Sequence, residues 1–149
     1  MEKEIRVFTD GASRGNPGKS GIGIVIKDAS AKILTTYKEF IGEESNNSAE
    51  YKALIKSIDI IKSLNQNFSL IQFFSDSELI VRQITGKYKI KNQNLIKLSL
   101  DFWNSINELN KKFKITHITR DKNILADKLA NEAIDELGNT IDRSLLISD

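Results

Sequence analysis

Residues 7–18 have the sequence Val7-Phe8-Thr9-Asp10-Gly11-Ala12-Ser13-Arg14-Gly15-Asn16-Pro17-Gly18. The stretch begins as an apolar strand, reaches an aspartate, and continues into residue types that favour turns. A second strand, rich in β-branched residues, follows at residues 21–28. Two interpretations fit the stretch by itself: a hairpin turn containing Asp-Gly, or a loop that holds a cation on its carboxylate and a phosphate on its backbone N–H groups.

The composition of the 149 residues limits the kinds of site that the chain can build. It contains no cysteine, which excludes disulfides and thiolate zinc sites. One histidine makes a histidine-rich metal site or a Ser-His-Asp triad hard to build. Any bound metal is therefore expected to be a hard cation on oxygen ligands. A net charge of +2 permits a nucleic-acid partner without arguing for one.

The hydrophobic content of 40% and the charged content of 28% are typical of an ordinary globular protein. No apolar run approaches the roughly 18 residues of a membrane-spanning helix, and no signal peptide opens the chain, so we expect a cytoplasmic protein with no membrane partner. Residues 1–138 contain no repeat or linker and are expected to form a single catalytic domain. Residues 139–149 have little pattern, and we expect a loosely held tail.

Hydrophobic periodicity predicts nine elements in the order βββαβααβα. The predicted strands are 4–10, 21–28, 32–41, 68–75 and 113–119, and the predicted helices are 49–64, 77–84, 94–112 and 123–137. Short connections make the first three strands an antiparallel meander, and long crossovers place the fourth and fifth parallel to the first. The fourth strand is apolar enough to be buried on both faces. The prediction is an α/β fold: a mixed five-stranded sheet with helices on both faces.

Four carboxylates occupy comparable places in this scheme. Asp10 ends the first strand and Asp76 ends the fourth, and the carboxyl ends of neighbouring parallel strands meet at one edge of a sheet. Glu50 lies in the first turn of the first long helix, and Asp127 lies in the first turn of the last helix. If both helices begin at that edge, the four carboxylates converge.

Each acid also has an ordinary structural explanation. Asn47 and Glu50 have the spacing of a capping box, Asp76 can cap the helix that follows it, and Asp127 suits the positive end of a helix dipole. These explanations weaken when the four are taken together, because uncompensated carboxylates in one place repel one another. Divalent cations relieve that repulsion, and two of them about 4 Å apart form the arrangement used for in-line phosphoryl displacement.

Four motifs carry a family resemblance, in the right order across residues 4–137: Asp10–Gly18, Asn46–Tyr51, Ser75–Glu78 and Ala126–Asn131. They closely resemble type 1 ribonuclease H. The resemblance implies the ribonuclease H-like fold and an endoribonuclease that hydrolyses the RNA strand of RNA–DNA hybrids, leaving 5′-phosphate and 3′-hydroxyl ends. It also implies a monomer.

The resemblance further implies a two-metal centre on Asp10, Glu50, Asp76 and Asp127, with Mg²⁺ as the cofactor and Mn²⁺ as a substitute. One Mg²⁺ would lie between Asp10 and Asp127 and activate the attacking water. The other would be held by Asp10, Glu50 and Asp76 and would stabilise the leaving 3′ oxygen.

The chain departs from the family pattern in three places. Many bacterial members carry a histidine in a mobile loop, where this chain has Arg120-Asp121-Lys122-Asn123-Ile124-Leu125. His117 falls inside the last predicted strand, and we interpret it as a structural residue. Only residues 86–94 separate the short and long helices, so the basic handle of some members is missing and the layout resembles a compact subgroup. With the first strand starting by residue 4, no N-terminal hybrid-binding domain is expected.

The resemblance also implies a set of substrate contacts. Glu78 stands where several relatives have an uncharged amide that also touches a 2′-hydroxyl. A carboxylate there still accepts a hydrogen bond, but it lies near phosphates. Lys87, Lys89 and Lys91 lie on one face of an extended link and suit contact with the DNA backbone, although an ordinary solvated basic loop explains these lysines equally well. The predicted substrate contacts are Gly11, Ser13, Gly15, Asn16, Asn46, Asn47, Glu78, Lys87, Lys89 and Lys91.

Two other functions stay open on the sequence. One is a hybrid-binding module whose catalysis has lapsed, against which the intact set of four acids argues. The other is a relative on the same fold that acts on DNA, such as an integrase or exonuclease, because a fold alone does not determine a function. The Gly15-Asn16 and Asn46-Asn47 pairs favour sensing of RNA.

Overall fold

A computed structural model describes residues 3–137 of the chain. Five strands form one mixed sheet in the order β3-β2-β1-β4-β5, and four helices pack against it. The elements are β1 (Glu4–Gly15), β2 (Gly18–Asp28), β3 (Ile33–Glu44), α1 (Asn46–Ser63), β4 (Leu70–Ser75), α2 (Glu78–Ile84), α3 (Gln93–Leu109), β5 (Lys112–His117) and α4 (Ile124–Asp135). The predicted fold class and the predicted order of elements are confirmed. The expected tail, residues 139–149, lies outside the described residues.

The first two strands form a long antiparallel hairpin that extends past the predicted strand ends. Their register runs from Ile5 opposite Asp28 to Gly15 opposite Gly18. Residues 7–18 do belong to a hairpin, but Asp10 and Gly11 lie inside β1 and not in its turn, which lies at 15–18, where Gly15 has φ +113°. The expected end of β1 at Asp10 was wrong. Glycine and small polar residues give no side-chain alternation, yet their backbone groups continue the ladder.

The parallel half of the sheet is confirmed. β1 and β4 run parallel from Glu4 opposite Leu70 to Thr9 opposite Ser75, and β4 and β5 run parallel up to Ser75 opposite His117. The carboxyl ends of the three strands therefore lie side by side. The expected burial of β4 on both faces was wrong, because its residues alternate between buried and partly exposed.

Helices cover both faces of the sheet. Ile22, Ile24 and Ile26 point to the face where α1 and α3 pack and form part of the main core. On the opposite face Gly21 and Gly23 meet the backbone of α4. Since a Cβ on Gly23 would lie 2.0 Å from the carbonyl oxygen of Ala126, glycine is what allows α4 to lie directly on β2. That close contact fixes the first turn of α4 at the edge of the sheet.

The predicted helix caps differ from those in the structure. Ser45 caps α1, its Oγ accepting from the Ser48 N–H at 3.1 Å, and the helix begins at Asn46 instead of residue 49. Asn47 is therefore not the cap. Ser77 caps α2 by accepting from the Ile80 N–H at 3.3 Å, so Asp76 is not a cap either. The capping explanation of Asp76 is thereby excluded.

The third helix and the fifth strand end earlier than predicted. α3 ends at Leu109, because Asn110 adopts the left-handed conformation with φ 52°. β5 ends at His117, and residues Arg120–Lys122 form one turn of 3₁₀ helix before α4. None of the helices within residues 3–137 is both long enough and apolar enough to span a bilayer.

Candidate active site

An acidic cleft of about 360 Å³ opens where the pairing of β1 with β4 ends and where α1 and α4 begin. All four predicted carboxylates line it: three come from β1, α1 and α4, and Asp76 directly follows β4. The complete lining is Asp10, Gly11, Ala12, Ser13, Asn46, Asn47, Glu50, Asp76, Ser77, Arg120 and Asp127. The tertiary structure thus brings together residues that are more than one hundred positions apart in the sequence.

Gly11 sets the position of Glu50. Its backbone N–H donates to the Glu50 carboxylate, which fixes that side chain against β1. A Cβ on Gly11 would lie 2.3 Å from the carbonyl carbon of Ala49, so any larger residue would push α1 away from the strand. The close approach of the two backbones is what places Glu50 beside Asp10.

Three of the acids form a compact cluster. Asp10, Glu50 and Asp76 each offer a carboxylate oxygen, and these oxygens lie within 4.8 Å of one another. Asp127 lines the same cleft but does not belong to this set of three. Asn131, one helical turn further along α4, orients the Asp127 side chain. Its Nδ2 donates to the Asp127 backbone oxygen at 3.0 Å and to Oδ1 at 3.3 Å.

The cluster concentrates negative charge in a buried place. Asp10 is 5% exposed and Glu50 is 7% exposed. Burial raises the pKa of Asp10, and the charges of Glu50 and Asp76 raise it further. Burial also raises the pKa of Glu50, against the opposing hydrogen bond from Gly11. Four carboxylates and one cationic side chain, Arg120, line the cleft, so negative charge remains in excess. The carboxylate oxygens fit a hard divalent cation, which would offset that excess.

The predicted substrate contacts fall into two groups. Gly11, Ser13, Asn46 and Asn47 line the cleft, whereas the other six do not. Part of the hydrogen-bonding capacity of this region is used within the fold: Ser13 Oγ donates to the Glu44 carbonyl at 2.8 Å. Asn16 lies at the hairpin turn, and its Oδ1 accepts from the Asn46 N–H at 3.1 Å. Asn16 therefore tethers the hairpin to the start of α1.

The remaining predicted contacts lie away from the acids. Glu78 is exposed in the first turn of α2 and pairs with Arg82 Nε at 2.8 Å, so its charge is compensated within its own helix. Lys87, Lys89 and Lys91 are exposed on the irregular link between α2 and α3.

The sequence analysis assigned no role to Arg120 or Asn123. Arg120 lies in the 3₁₀ turn after β5 and lines the cleft, and its positive charge lowers the pKa of Glu50. Its place just beyond a strand parallel to β4 is the signal that would have identified it. Asn123 is 2% exposed beneath the cleft, where its side chain contacts β1 and Asp76. His117 lies at the end of β5, as predicted for a strand residue, with an exposed side chain.

Comparison with known proteins identifies the family of this chain. A family model described as reverse transcriptase-like matches residues 8–133. Ribonuclease H of Ruthia magnifica is 31% identical over 150 residues, covering 90% of this chain and 97% of the relative. Ribonuclease HI of Halobacterium salinarum is 33% identical, covering 89% of this chain and 65% of the relative. This chain belongs to the type 1 ribonuclease H family.

Solved structures agree with that assignment. The crystal structure of RNase H1 from Halobacterium salinarum has a TM-score of 0.84 at 33% identity, covering 89% of this chain and 98% of that one. LC11-RNase H1 in complex with an RNA/DNA hybrid has a TM-score of 0.83 at 38% identity, with the same coverage of both chains. A bifunctional protein of Mycobacterium tuberculosis is 34% identical, and the chain spans only 36% of its length.

Proposed function

We propose that this chain is an endoribonuclease that hydrolyses the RNA strand of RNA–DNA hybrids, leaving 5′-phosphate and 3′-hydroxyl ends. The observation that carries the proposal is the cluster of Asp10, Glu50 and Asp76, whose oxygens lie within 4.8 Å of one another in an open cleft. Buried carboxylates that lack compensating cations are costly to the fold, and a hydrolytic metal site is a function that accounts for that cost.

The proposed cofactor is Mg²⁺, with two ions per site and Mn²⁺ as a substitute. Asp10, Glu50 and Asp76 would hold one ion, and Asp10 with Asp127 would hold the other. Bound in this way, the ions would supply a nucleophilic water and stabilise the charge that develops on the leaving oxygen. Only oxygen ligands take part, which suits Mg²⁺.

The chain's own residues have distinct tasks in this mechanism. The Gly11 N–H holds Glu50, and Asn131 holds Asp127, so two of the four carboxylates are oriented before substrate arrives. Arg120 contributes a cationic side chain to the lining of the cleft, at the place where a phosphate would enter. A guanidinium there attracts the substrate backbone and offsets its charge near the acids.

The RNA strand is proposed to lie along the mouth of the cleft. Ser13, Asn46 and Asn47 supply short polar groups there, which a minor groove can approach closely, and Gly11 lies beside them in the lining of the cleft. Gly15 and Asn16 extend this surface at the hairpin turn. Lys87, Lys89 and Lys91 are proposed to contact the DNA strand as point charges. Glu78 is proposed to act through Arg82, its salt-bridge partner, instead of touching the sugar.

The wider setting is proposed on the same basis. Residues 1–138 act as one catalytic domain, monomeric and cytoplasmic, and the tail at 139–149 takes no part in catalysis. Light scattering of the purified chain, with and without hybrid, measures its molar mass and so tests whether it is a monomer.

One assay separates the proposed function from its alternatives. Labelled RNA–DNA hybrid, single-stranded RNA, duplex RNA and duplex DNA are incubated with Mg²⁺ and with excess chelator, and Asp10→Asn serves as the control. We expect Mg²⁺-dependent cleavage of the hybrid alone, with the RNA strand cut. Binding of hybrid without cleavage would favour a module whose catalysis has lapsed, and cleavage of duplex DNA would favour a DNA-processing relative.

A further inference from the structure

Asn123 occupies the N-cap position of α4, yet it does not cap that helix. Asparagine is among the residues that most favour this position, because its side-chain oxygen accepts from an N–H of the first turn. Here the side chain makes no such bond. Asn123 Oδ1 is the one buried side-chain polar atom among residues 3–137 that has no hydrogen-bond partner. The residue therefore bears the cost of burial without the usual gain of a cap.

The amide nitrogen of Asn123 is used instead, and it points at the ends of two strands. Nδ2 donates to the Thr9 carbonyl oxygen at 2.9 Å and makes a longer contact of 3.4 Å with Asp76 Oδ2. Thr9 and Ser75 are the last register pair between β1 and β4. Where that pairing ends, the Thr9 carbonyl accepts its hydrogen bond from the side chain of Asn123.

The backbone of Asn123 completes the connection. Its carbonyl accepts from the Asp127 N–H at 3.1 Å, and its N–H donates to the Arg120 carbonyl at 3.0 Å. One residue thus touches the strand position before Asp10, the carboxylate of Asp76 and the backbone of Asp127. These three acids come from β1, from the end of β4 and from α4.

We propose that Asn123 is a positioning residue that sets the spacing of Asp10, Asp76 and Asp127. This inference rests on the proposed function, because the spacing matters only if the acids hold metal. Partners that orient metal ligands from behind typically contribute about 10- to 100-fold in metal affinity or activity when they are replaced. A purely structural role would change the stability of the protein and leave its response to metal as it was.

The test compares Asn123→Ala with Asn110→Ala. Asn110 ends α3 in the left-handed conformation at the far edge of the sheet, so its replacement lowers stability without reaching the cleft. Melting temperature is measured against Mn²⁺ and Mg²⁺ concentration without substrate, and kcat and KM are measured on the hybrid. We expect Asn123→Ala to raise the metal concentration at half-effect about tenfold or more and to lower kcat with little change in KM. Asn110→Ala should leave both unchanged.

Asn123→Leu keeps the volume of the side chain and removes only its polar groups, so it serves if Asn123→Ala fails to fold. The proposal would be overturned if the Asn123 variant and Asn110→Ala had the same metal concentration at half-effect and the same kcat. Unfolding of both Asn123 variants, or a wild-type melting temperature that does not respond to metal, would also overturn it. If the wild type responds to metal but cleaves no hybrid, the proposed function fails while the metal titration still decides the role of Asn123.

Discussion

At the scale of single residues, the cleft is built from side chains that contribute little to the fold. Asp10 and Glu50 are buried among like charges, and their raised pKa values express the cost of that arrangement. Helix capping, the usual structural use of a polar side chain at such places, falls to the hydroxyls of Ser45 and Ser77. The acids are thus left available for a ligand.

Replacing the acid at the centre of the cluster tests this view. Asp10→Asn should abolish metal-dependent cleavage of the hybrid, because Asp10 is the ligand proposed to be shared by both ions. Cleavage rate is measured with Mg²⁺ and in excess chelator, and circular dichroism checks that the fold is kept. Undiminished wild-type activity in chelator would contradict the two-metal mechanism.

The single histidine is expected to be dispensable. His117 is exposed at the end of β5, so His117→Ala should change stability little and leave kcat within several-fold of the wild type. General acid–base assistance is typically worth about 10²- to 10⁴-fold. Single-turnover cleavage measures the rate, and a loss of that size at unchanged melting temperature would show that His117 takes part in proton transfer.

At the scale of elements, the cleft depends on how closely helices approach the sheet. Two glycines make this possible, Gly11 under α1 and Gly23 under α4. Neither is needed for a turn, and both are strand residues that face a helix backbone. The helices deliver Glu50 and Asp127 to the strand ends only because no side chain separates the two layers.

Adding a methyl group at Gly23 should displace α4. The new Cβ would lie 2.0 Å from the Ala126 carbonyl oxygen, one residue before Asp127. Overpacking of this kind costs about 1–3 kcal/mol, and we expect a further loss of activity per folded molecule. Gly42→Ala is the control, since Gly42 has φ +82° but no atom within 4 Å of an added Cβ. Equal specific activity in both variants would argue against the role of the close approach.

At the start of α1, one residue stabilises the helix and another is proposed to contact the hybrid. Ser45→Ala should lower the free energy of unfolding by about 1 kcal/mol, because it removes the N-cap. Asn47→Ala should leave stability near that of the wild type and reduce kcat/KM on the hybrid, since Asn47 lines the cleft and caps nothing. Urea unfolding and hybrid cleavage are measured for both. A stability loss in Asn47→Ala as large as that in Ser45→Ala would show that Asn47 serves the helix.

At the scale of the whole molecule, the burial of Asp10 on the sheet and of Glu50 on α1 links the stability of the fold to pH. Burial raises the pKa values of Asp10 and Glu50 above the ordinary values of 3.8 and 4.5 for these carboxyl groups. Above about pH 4 the native state therefore binds more protons than the unfolded state, so these groups lower the free energy of unfolding as the pH rises. Their stabilising protonated form is lost as the pH passes through the raised values.

This linkage predicts how stability responds to pH without metal. In excess chelator, Asp10→Asn should melt at a higher temperature than the wild type, and the difference should grow from about pH 5 to about pH 9. Adding Mn²⁺ or Mg²⁺ to the wild type should reduce the difference, since cations replace protons in neutralising the acids. Melting curves of both proteins over this range, with and without metal, make the measurement. Parallel pH profiles in chelator would contradict it.

The sequence by itself determined the order of the elements, the parallel direction of β4 and β5, and the four acids that line the cleft. Periodicity and connection length carry that information, since each depends on neighbouring residues. The tertiary structure alone decided the hairpin turn at 15–18, the caps at Ser45 and Ser77, and the places of Arg120 and Asn123. The turn and the caps are local contacts, and several adjacent polar or glycine residues could have made each of them. The places of Arg120 and Asn123 depend on groups that lie far away in the sequence. A carbonyl such as that of Thr9 finds its donor in Asn123 only after the sheet and α4 have come together.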